Sequence, residues 1–238
     1  MISFDSMKSM LDESYKHVAC STCKSRGHGL FNGISGAELD TLEAQRACNF
    51  YKKTQSLFVE GSTPRGVYCV NHGKVKVFKR GDEGKEQIIH IAKAGDLIGF
   101  RAMFSGELYK VAAESLEDSN ICFIAKEDFL NMIEFNPTLR NGIIKELSQE
   151  LSDRADFITN MAQKSVRERL AFSLLILMDI YGEEPINLSR EDLANFVGTA
   201  TETLIRLLKE FKEDGCLEIE VRKLRVIDKI KLISLAGN

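Results

Sequence analysis

One segment, residues 188–215, restricts the fold of this chain most, because it combines two short helical patterns with a tight turn between them. Ser189 is a good N-cap for the first helix. Gly198 lies where that helix must end and the chain must reverse direction. Thr199 or Thr201 then caps the second helix. The segment therefore predicts a helical hairpin with a short, fixed turn.

The second helix of this segment divides its residues between an apolar face and a polar face. Its apolar residues recur at core spacing: Leu204, Leu207, Leu208 and Phe211. Its other face presents Thr201, Glu202, Ile205, Arg206 and Lys209. Polar side chains near the N-terminus of such a helix reach base edges when the helix lies in a DNA major groove. The pattern predicts a helix-turn-helix that binds DNA.

The same segment, in the residues GTATETLIRLLKEFKEDG, resembles the recognition segment of the CRP/FNR superfamily of bacterial transcription regulators. In that family a Glu and an Arg four residues apart read the bases, and a variable residue precedes the Arg. The resemblance places these roles at Glu202, Arg206 and Ile205. Glu accepts from a cytosine amino group, and Arg pairs bidentately with guanine. The resemblance also implies a homodimer that binds a palindromic operator in double-stranded DNA and contacts RNA polymerase.

Composition and motifs exclude other classes. The chain has 238 residues, of which 44% are hydrophobic and 28% charged, as in a soluble globular protein. It has no run of about 18 apolar residues and no secretory signal, so we expect a cytoplasmic protein without a membrane span. The net charge of −3 requires that DNA affinity come from local groups. No nucleophile–base–acid set, Walker loop or G-x-G-x-x-G after a strand is present, so we expect no enzyme.

From about residue 50 the apolar period changes to two, and glycines separate short runs. The residues GKVKVFK and AGDLIGF resemble the double-stranded β-helix, or jelly roll, of cyclic-nucleotide-binding domains. Members of that family that bind the nucleotide have an acidic residue in a Gly-rich turn and an Arg-Ser pair for the phosphate. This chain lacks the acidic residue expected directly after Gly99, and Lys110-Val111 replaces Arg-Ser. We therefore expect an α+β protein whose jelly roll binds no cyclic nucleotide.

A long helix is predicted from Leu139 to about Met161, after a break at Asn136-Pro137. Its heptad seam consists of Ile144, Leu147, Leu151, Arg154, Ile158 and Met161. The resemblance implies a parallel dimer through this seam; the alternative is packing on the chain's own β-domain. Arg154 in the dimer seam faces its symmetry mate, and this like-charge pair weakens pairing so that dimerisation depends on a signal.

The residues that follow the helix-turn-helix, CLEIEVRKLRVID, predict two short strands around Arg222-Lys223, as in a winged helix. Charges at the tip of the wing suit phosphate contacts, which fix position without reading sequence. Four parts are therefore expected: an N-terminal cysteine-bearing sensor segment (1–30), a jelly-roll sensory domain (31–137), a dimerisation helix (138–162) and a winged helix-turn-helix domain (163–238).

The N-terminal residues HVACSTCKSRGHG contain Cys20 and Cys23 at C-x2-C spacing, which lets two thiolates meet one metal centre. Six cysteines without a signal sequence indicate metal or thiol chemistry in a reducing compartment. Within the CRP/FNR superfamily, the oxygen sensors of the FNR group hold a [4Fe–4S] cluster with three N-terminal cysteines and one in a late strand. The resemblance assigns Cys20, Cys23 and Cys122 to three of these positions.

The third N-terminal position falls at Gly29, which has no side chain. Cys48 or His28 is expected to supply the fourth ligand, with Cys48 favoured because a thiolate is the usual ligand for such iron. Cys69 and Cys216 are interpreted as small apolar residues beside strands.

Other hypotheses remain open for the sensor. One is a reversible disulfide that joins Cys20 or Cys23 to Cys122. A zinc site, an unidentified small effector and a regulator with unused thiols are others. From a different class, the chain is a ligand-binding signalling module whose helix-turn-helix only contacts protein; steeply salt-dependent DNA binding separates it from a regulator.

Overall fold

The computed structural model describes residues 19–237. Residues 19–77 and 90–146 form one compact unit, and residues 78–89 and 147–237 form a second. The expected α+β class is confirmed, with a β-rich N-terminal part, a long helix and a C-terminal helix-turn-helix.

Short antiparallel strands build the N-terminal part. They are β1 (Arg46–Tyr51), β2 (Ser56–Phe58), β3 (Gly66–His72), β4 (Val75–Arg80), β5 (Glu86–Ala92), β6 (Leu97–Ile98), β7 (Ala112–Ser115) and β8 (Ser119–Ala125). One sheet has the order β1-β8-β3-β6, and the other has the order β2-β7-β4-β5. The non-consecutive neighbours in both sheets are the topology expected of a jelly roll.

The inner faces of these strands carry β-branched and aromatic residues. Val67, Val70 and Ile121 are fully buried. The two sheets meet where the Phe58 ring of β2 lies 5.7 Å from the Tyr68 ring of β3. Burial of such side chains is the main favourable term in folding, at about 1.5–3 kcal/mol for each large apolar residue. Alternation along the strands thus places the remaining side chains at the surface or toward the N-terminal segment.

The N-terminal segment forms short 3-10 turns at Cys20–Thr22, Ser25–His28 and Leu30–Gly33. The helices of this part are α1 (Ala37–Gln45), α2 (Phe100–Ser105), α3 (Lys126–Phe135) and α4 (Pro137–Gln163). Asn136 caps the long helix α4, because its Oδ1 accepts from the Leu139 backbone N–H at 2.8 Å. Pro137 can then occupy the first helical position, where no N–H is required.

The C-terminal part contains α5 (Val166–Tyr181), α6 (Arg190–Val197), α7 (Thr201–Glu213), β9 (Leu217–Glu220), β10 (Lys223–Val226) and α8 (Lys229–Leu235). Antiparallel β9 and β10 form the wing. Among residues 19–237, no helix is long and apolar enough to cross a membrane.

Candidate functional site

The register of the first sheet brings three cysteines into one row. Cys48 of β1 lies opposite Cys122 of β8, and Cys69 of β3 lies opposite Cys122 on its other side. Directly opposed residues on antiparallel strands point to the same face of the sheet. The three residues lie far apart along the chain, at positions 48, 69 and 122, so only strand pairing brings them together.

Cys48 and Cys122 form a disulfide in this structure. The hypothesis that Cys122 bonds to Cys20 or Cys23 is therefore wrong for this structure, because strand pairing holds Cys48 directly beside Cys122. The thiols of Cys20, Cys23, Cys69 and Cys216 are free.

The N-terminal segment lies against this sheet through Cys23. Asn71 Nδ2, in β3, donates to Cys23 Sγ at 3.1 Å. Cys23 Sγ also lies 3.0 Å from Ser25 Oγ. The backbone N–H of Cys20 donates to Glu43 in α1. These polar contacts fix the C-x2-C pair over the sheet.

A small cavity of about 30 Å³, partly open to solvent, lies between the N-terminal segment and the sheet. Four cysteines line it: Cys20, Cys23, Cys69 and Cys122. Two arginines, Arg26 and Arg46, and the polar Asn71 also line it. The sequence interpretation of Cys69 as a simple apolar filler missed its place in this wall. The signal that was available is its register with Cys122, which needs the strand pairing.

Arg46 supplies positive charge to this site. Its guanidinium donates to Cys48 Sγ and, at 3.5 Å, to Cys122 Sγ. Its other terminal nitrogen lies 2.7 Å from Glu43 Oε1, and its side chain is almost completely buried. The hydrogen bond from the Cys20 N–H lowers the pKa of Glu43, with a further contribution from Arg46. A cation held this way favours negative charge on nearby sulfur.

Burial keeps two of the thiols protonated. It raises the pKa of the Cys20 thiol to about 11, although Arg46 acts in the opposite direction. Burial, together with the neighbouring Cys23 and Cys20, raises the pKa of Cys69 to about 12. A metal that binds these sulfurs must therefore displace their protons.

The cysteines spread around the cavity instead of converging on one point. Among the described side chains of residues 19–237, which do not include that of His28, no three His, Cys, Asp or Glu are placed to share a single metal ion. Tetrahedral zinc needs its ligands at about 2.0–2.3 Å from one point. An iron–sulfur cluster instead takes thiolates at several irons, so a wall of separated thiols fits it better. The side chain of His28 lies outside the described part of the structure.

The helix-turn-helix begins as expected. Ser189 Oγ accepts from the Asp192 backbone N–H at 2.9 Å, and Gly198 ends α6 in the left-handed conformation at φ 74°. Neither Thr199 nor Thr201 caps the second helix α7, because Ala200 occupies the cap position without a side-chain bond. Thr199 is instead buried in the turn.

The proposed base-reading face of α7 is accessible. Ile205 is 52% exposed, and Glu202, Arg206 and Lys209 are also exposed while Thr201 is half-buried. The apolar residues of the same helix, Leu204, Leu207, Leu208 and Phe211, are buried. At the wing, Arg222 and Lys223 are exposed beside Val221, which turns the chain at φ 55°.

Sequence reasoning missed two arginines of α5 that fix the helix-turn-helix. Arg169 donates to the carbonyls of Val197 and Gly198 at 3.1 and 3.0 Å. These carbonyls lie at the end of α6, where no helical partner is available. Arg167 lies 2.7 Å from Glu210 of α7. Their long sequence separation gave no local signal.

The predicted seam of α4 is largely uncovered in the single chain. Ile144, Leu151 and Ile158 are exposed, and Leu147, Arg154 and Met161 are half-buried. Arg154 lies 3.2 Å from Glu150 on the same helix and donates to the Ile89 carbonyl at 3.4 Å. Its charge thus has partners within the chain, and a like-charge contact between two Arg154 side chains stays a prediction.

Comparison with known proteins identifies the family. Residues 48–136 match the model of the cyclic nucleotide-binding domain, and residues 168–235 match that of the Crp-like helix-turn-helix domain. The transcriptional activator protein anr of Pseudomonas aeruginosa is 30% identical over 193 residues, which cover 78% of this chain and 79% of that protein. The chain belongs to the CRP/FNR family.

Two further known proteins match most of the chain. The transcriptional activator protein FnrA of Stutzerimonas stutzeri is 28% identical over 230 residues, 93% of this chain and 94% of that protein. The solved structure of FixK2 from Bradyrhizobium japonicum has a TM-score of 0.73 at 23% identity and covers 80% of this chain and 96% of that one. This CRP/FNR chain is a DNA-binding transcription regulator and not an enzyme.

Proposed function

We propose that this CRP/FNR regulator is a homodimer whose DNA binding responds to oxygen or redox state through a [4Fe–4S] cluster in the cysteine-lined cavity. Cys20, Cys23 and Cys122 supply three thiolates, and the sequence alone suggests Cys48 or His28 as a candidate for the fourth ligand. When bound, the cluster supplies a centre that oxygen oxidises. The protein would act on a palindromic operator, with RNA polymerase as a further partner.

One observation carries the proposal: the cavity gathers Cys20 and Cys23 from the N-terminal segment and Cys122 from β8. An apolar cavity that binds nothing would not require cysteines from two separate parts of the chain in its wall. Arg26 and Arg46 in its wall offset the negative charge of bound thiolates. Asn71 donates a hydrogen bond to Cys23 Sγ, a contact that tunes cluster potentials.

The N-terminal segment also contacts the long helix α4. Through this contact, a change at the cysteines can alter the dimerisation helix. The turn at Leu30–Gly33 follows the cysteines directly. A methyl group added to Gly142 of α4 would lie 3.2 Å from Leu30 Cδ2, and one added to Gly33 would lie 3.2 Å from Thr138 Cγ2. Asn136, the cap of α4, donates to Glu38 of α1 at 2.9 Å. Reordering of the segment therefore changes contacts at the start of α4.

Dimerisation through α4 rests on its uncovered apolar residues. Ile144, Leu151 and Ile158 recur every seven residues and are all exposed. This spacing is that of one seam position in a coiled coil. A second copy of the chain would bury them and bring two recognition helices to the two halves of an operator.

A thiol–disulfide switch is a second candidate, favoured by the bond between Cys48 and Cys122. A dithiol reductant would donate two electrons and two protons, open this bond to two thiols and itself become a disulfide. Cys122 cannot bind iron while bonded to Cys48. The oxidised pair and a cluster on Cys122 are thus mutually exclusive states.

Anaerobic purification tests the two candidates. The cluster predicts coloured protein with about four iron and four sulfide per chain, and loss of both colour and specific DNA binding when oxygen is admitted. The switch predicts colourless, iron-free protein whose DNA affinity changes reversibly with dithiothreitol. Anaerobic protein with neither iron nor thiol-dependent DNA affinity would contradict both.

A further inference from the structure

We propose that Cys69 supplies the fourth thiolate of the cluster, in place of the cysteine missing at position 29. The inference rests on the proposed function, because it names the ligand set of the same cavity. Cys20, Cys23, Cys69 and Cys122 are the four cysteines in the cavity wall.

Position 29 is closed to any side chain. A Cβ built on Gly29 would lie 2.2 Å from the carbonyl oxygen of Gly95 and 3.1 Å from its carbonyl carbon. Both contacts are with backbone, which cannot move aside as a flexible side chain does. The N-terminal segment thus approaches the loop before β6 so closely that only glycine fits.

Cys69 lies beside this point of approach. The Gly95 N–H donates to the carbonyl of Val70, the residue after Cys69, at 2.8 Å. Gly29, Gly95 and Cys69 all line the cavity. The N-terminal segment therefore has no thiol at position 29, and the sheet provides the Cys69 thiol at the same end of the cavity.

Cys69 is also adjacent to the other proposed ligands. It pairs directly with Cys122 across β3 and β8. Asn71 lies two residues further along β3, lines the same cavity and donates to Cys23 Sγ. Cys69 is thus placed between the ligand from β8 and the ligands from the N-terminal segment.

Cys48 is less suited to this role. It is not among the described residues that line the cavity, and its sulfur lies against the guanidinium of Arg46 and is bonded to Cys122. Opening that bond frees Cys122 for iron and leaves Cys48 beside Arg46. We infer that Cys48 controls access to Cys122, whereas Cys69 binds iron.

Binding requires no oxidant. Each of the four thiols releases one proton to solvent, and each resulting thiolate donates an electron pair to an iron. The cluster iron, supplied in equal parts as ferrous and ferric, and its sulfide come from outside the chain, and reductant is needed only for the Cys48–Cys122 bond, with two electrons and two protons for each bond opened.

The test compares wild type with Cys69→Ser, with Cys48→Ser and with the matched control Cys216→Ser, all reconstituted without oxygen from equal amounts of ferrous and ferric iron, sulfide and dithiothreitol. Iron and sulfide per chain and the visible spectrum are measured. We expect Cys69→Ser to lose at least half of its iron or to show an altered spectrum, and the control Cys216→Ser to equal wild type. Cys48→Ser should keep its iron, because Cys69 and not Cys48 is the proposed fourth ligand. A Cys69→Ser protein that equals wild type overturns the assignment while leaving the cluster in place, and a depleted Cys48→Ser protein would then identify Cys48 as the ligand.

A second measurement avoids substitution. Reconstituted wild type is placed in denaturant and treated with iodoacetamide in two samples, one before and one after the iron is chelated. Mass spectrometry then identifies the alkylated cysteines in each sample. Cys69 should be protected until chelation, together with Cys20, Cys23 and Cys122, whereas Cys48 should react in the denatured holoprotein before chelation. Reaction of Cys69 at that stage contradicts its role. Wild type that takes up neither iron nor sulfide refutes the proposed function itself, which distinguishes the two failures.

Discussion

The guanidinium of Arg206 lies 2.8 Å from the carboxylate of Glu210, one turn further along the recognition helix. An exposed pair at this spacing contributes only about 0.3–0.5 kcal/mol. A bidentate Arg–guanine contact contributes about 1–3 kcal/mol of discrimination. Arg206 can therefore leave Glu210 for a base at little cost, and Glu210 keeps its second partner, Arg167.

Arg206→Ala should remove sequence discrimination and leave the fold intact, because the side chain is exposed and packs in no core. The expected loss is about 1–3 kcal/mol for each half-site. Fluorescence anisotropy with operator and scrambled DNA measures the ratio of affinities. Lys223→Ala at the wing is the control and should weaken both DNAs alike. An Arg206→Ala protein that still discriminates would show that another residue reads the bases.

Leu151→Glu should shift the protein toward monomer. Leu151 is 73% exposed in the single chain, so its replacement leaves no cavity in the fold. In a dimer, two carboxylates would meet in an apolar seam at position 151, and desolvation of charge opposes pairing. Sedimentation velocity over a range of concentrations gives the dimer dissociation constant. Ile230→Glu, at a residue that is 83% exposed in α8, is the matched control and should not change it. Equal dimerisation of both variants would place the interface elsewhere.

Gly29→Ala should destabilise the protein, because its methyl group would overlap the Gly95 carbonyl oxygen at 2.2 Å. Overpacking of this kind costs about 1–3 kcal/mol. Urea unfolding of the reduced, metal-free protein gives the change in free energy. Gly27→Ala is the control, since no atom lies within 4 Å of the added methyl group. A Gly29→Ala protein as stable as the control would mean that the N-terminal segment does not approach Gly95 in solution.

The reactivity of Cys20 should depend steeply on pH in reduced, metal-free protein. Burial raises the pKa of its thiol from an ordinary value of 9.0 to about 11, so alkylation should be slow near neutral pH and accelerate toward pH 11. The unfolded chain loses this proton at lower pH than the folded one. The free energy of unfolding should therefore be unaffected by this thiol below about pH 9 and fall between about pH 9 and 11. Mass spectrometry of Cys20 after timed iodoacetamide treatment measures the first effect. Rapid alkylation of Cys20 at pH 7 would show that the segment does not cover it.

Structural features that depend on residues close together in the sequence could be predicted. The helix-turn-helix follows from Ser189, Gly198 and the spacing of Leu204, Leu207 and Leu208, because capping and helical periodicity act within a few residues. The wing and the alternating strands follow for the same reason. The caps at Asn136 and Ala200 were missed, because several nearby residues have similar local preferences and packing selects among them.

Tertiary structure decided the cysteine site. The sequence marks Cys20 and Cys23 by their spacing, and a family resemblance adds Cys122, but nothing local relates Cys69 or Cys48 to them. Strand register places both beside Cys122, since β8 lies between β1 and β3 in the sheet. Register is a property of paired strands, and a shift of one residue would turn these side chains to the other face. Local sequence patterns are therefore enough to identify the chain as a DNA-binding regulator. Which cysteines line the cavity depends instead on contacts between residues far apart in sequence.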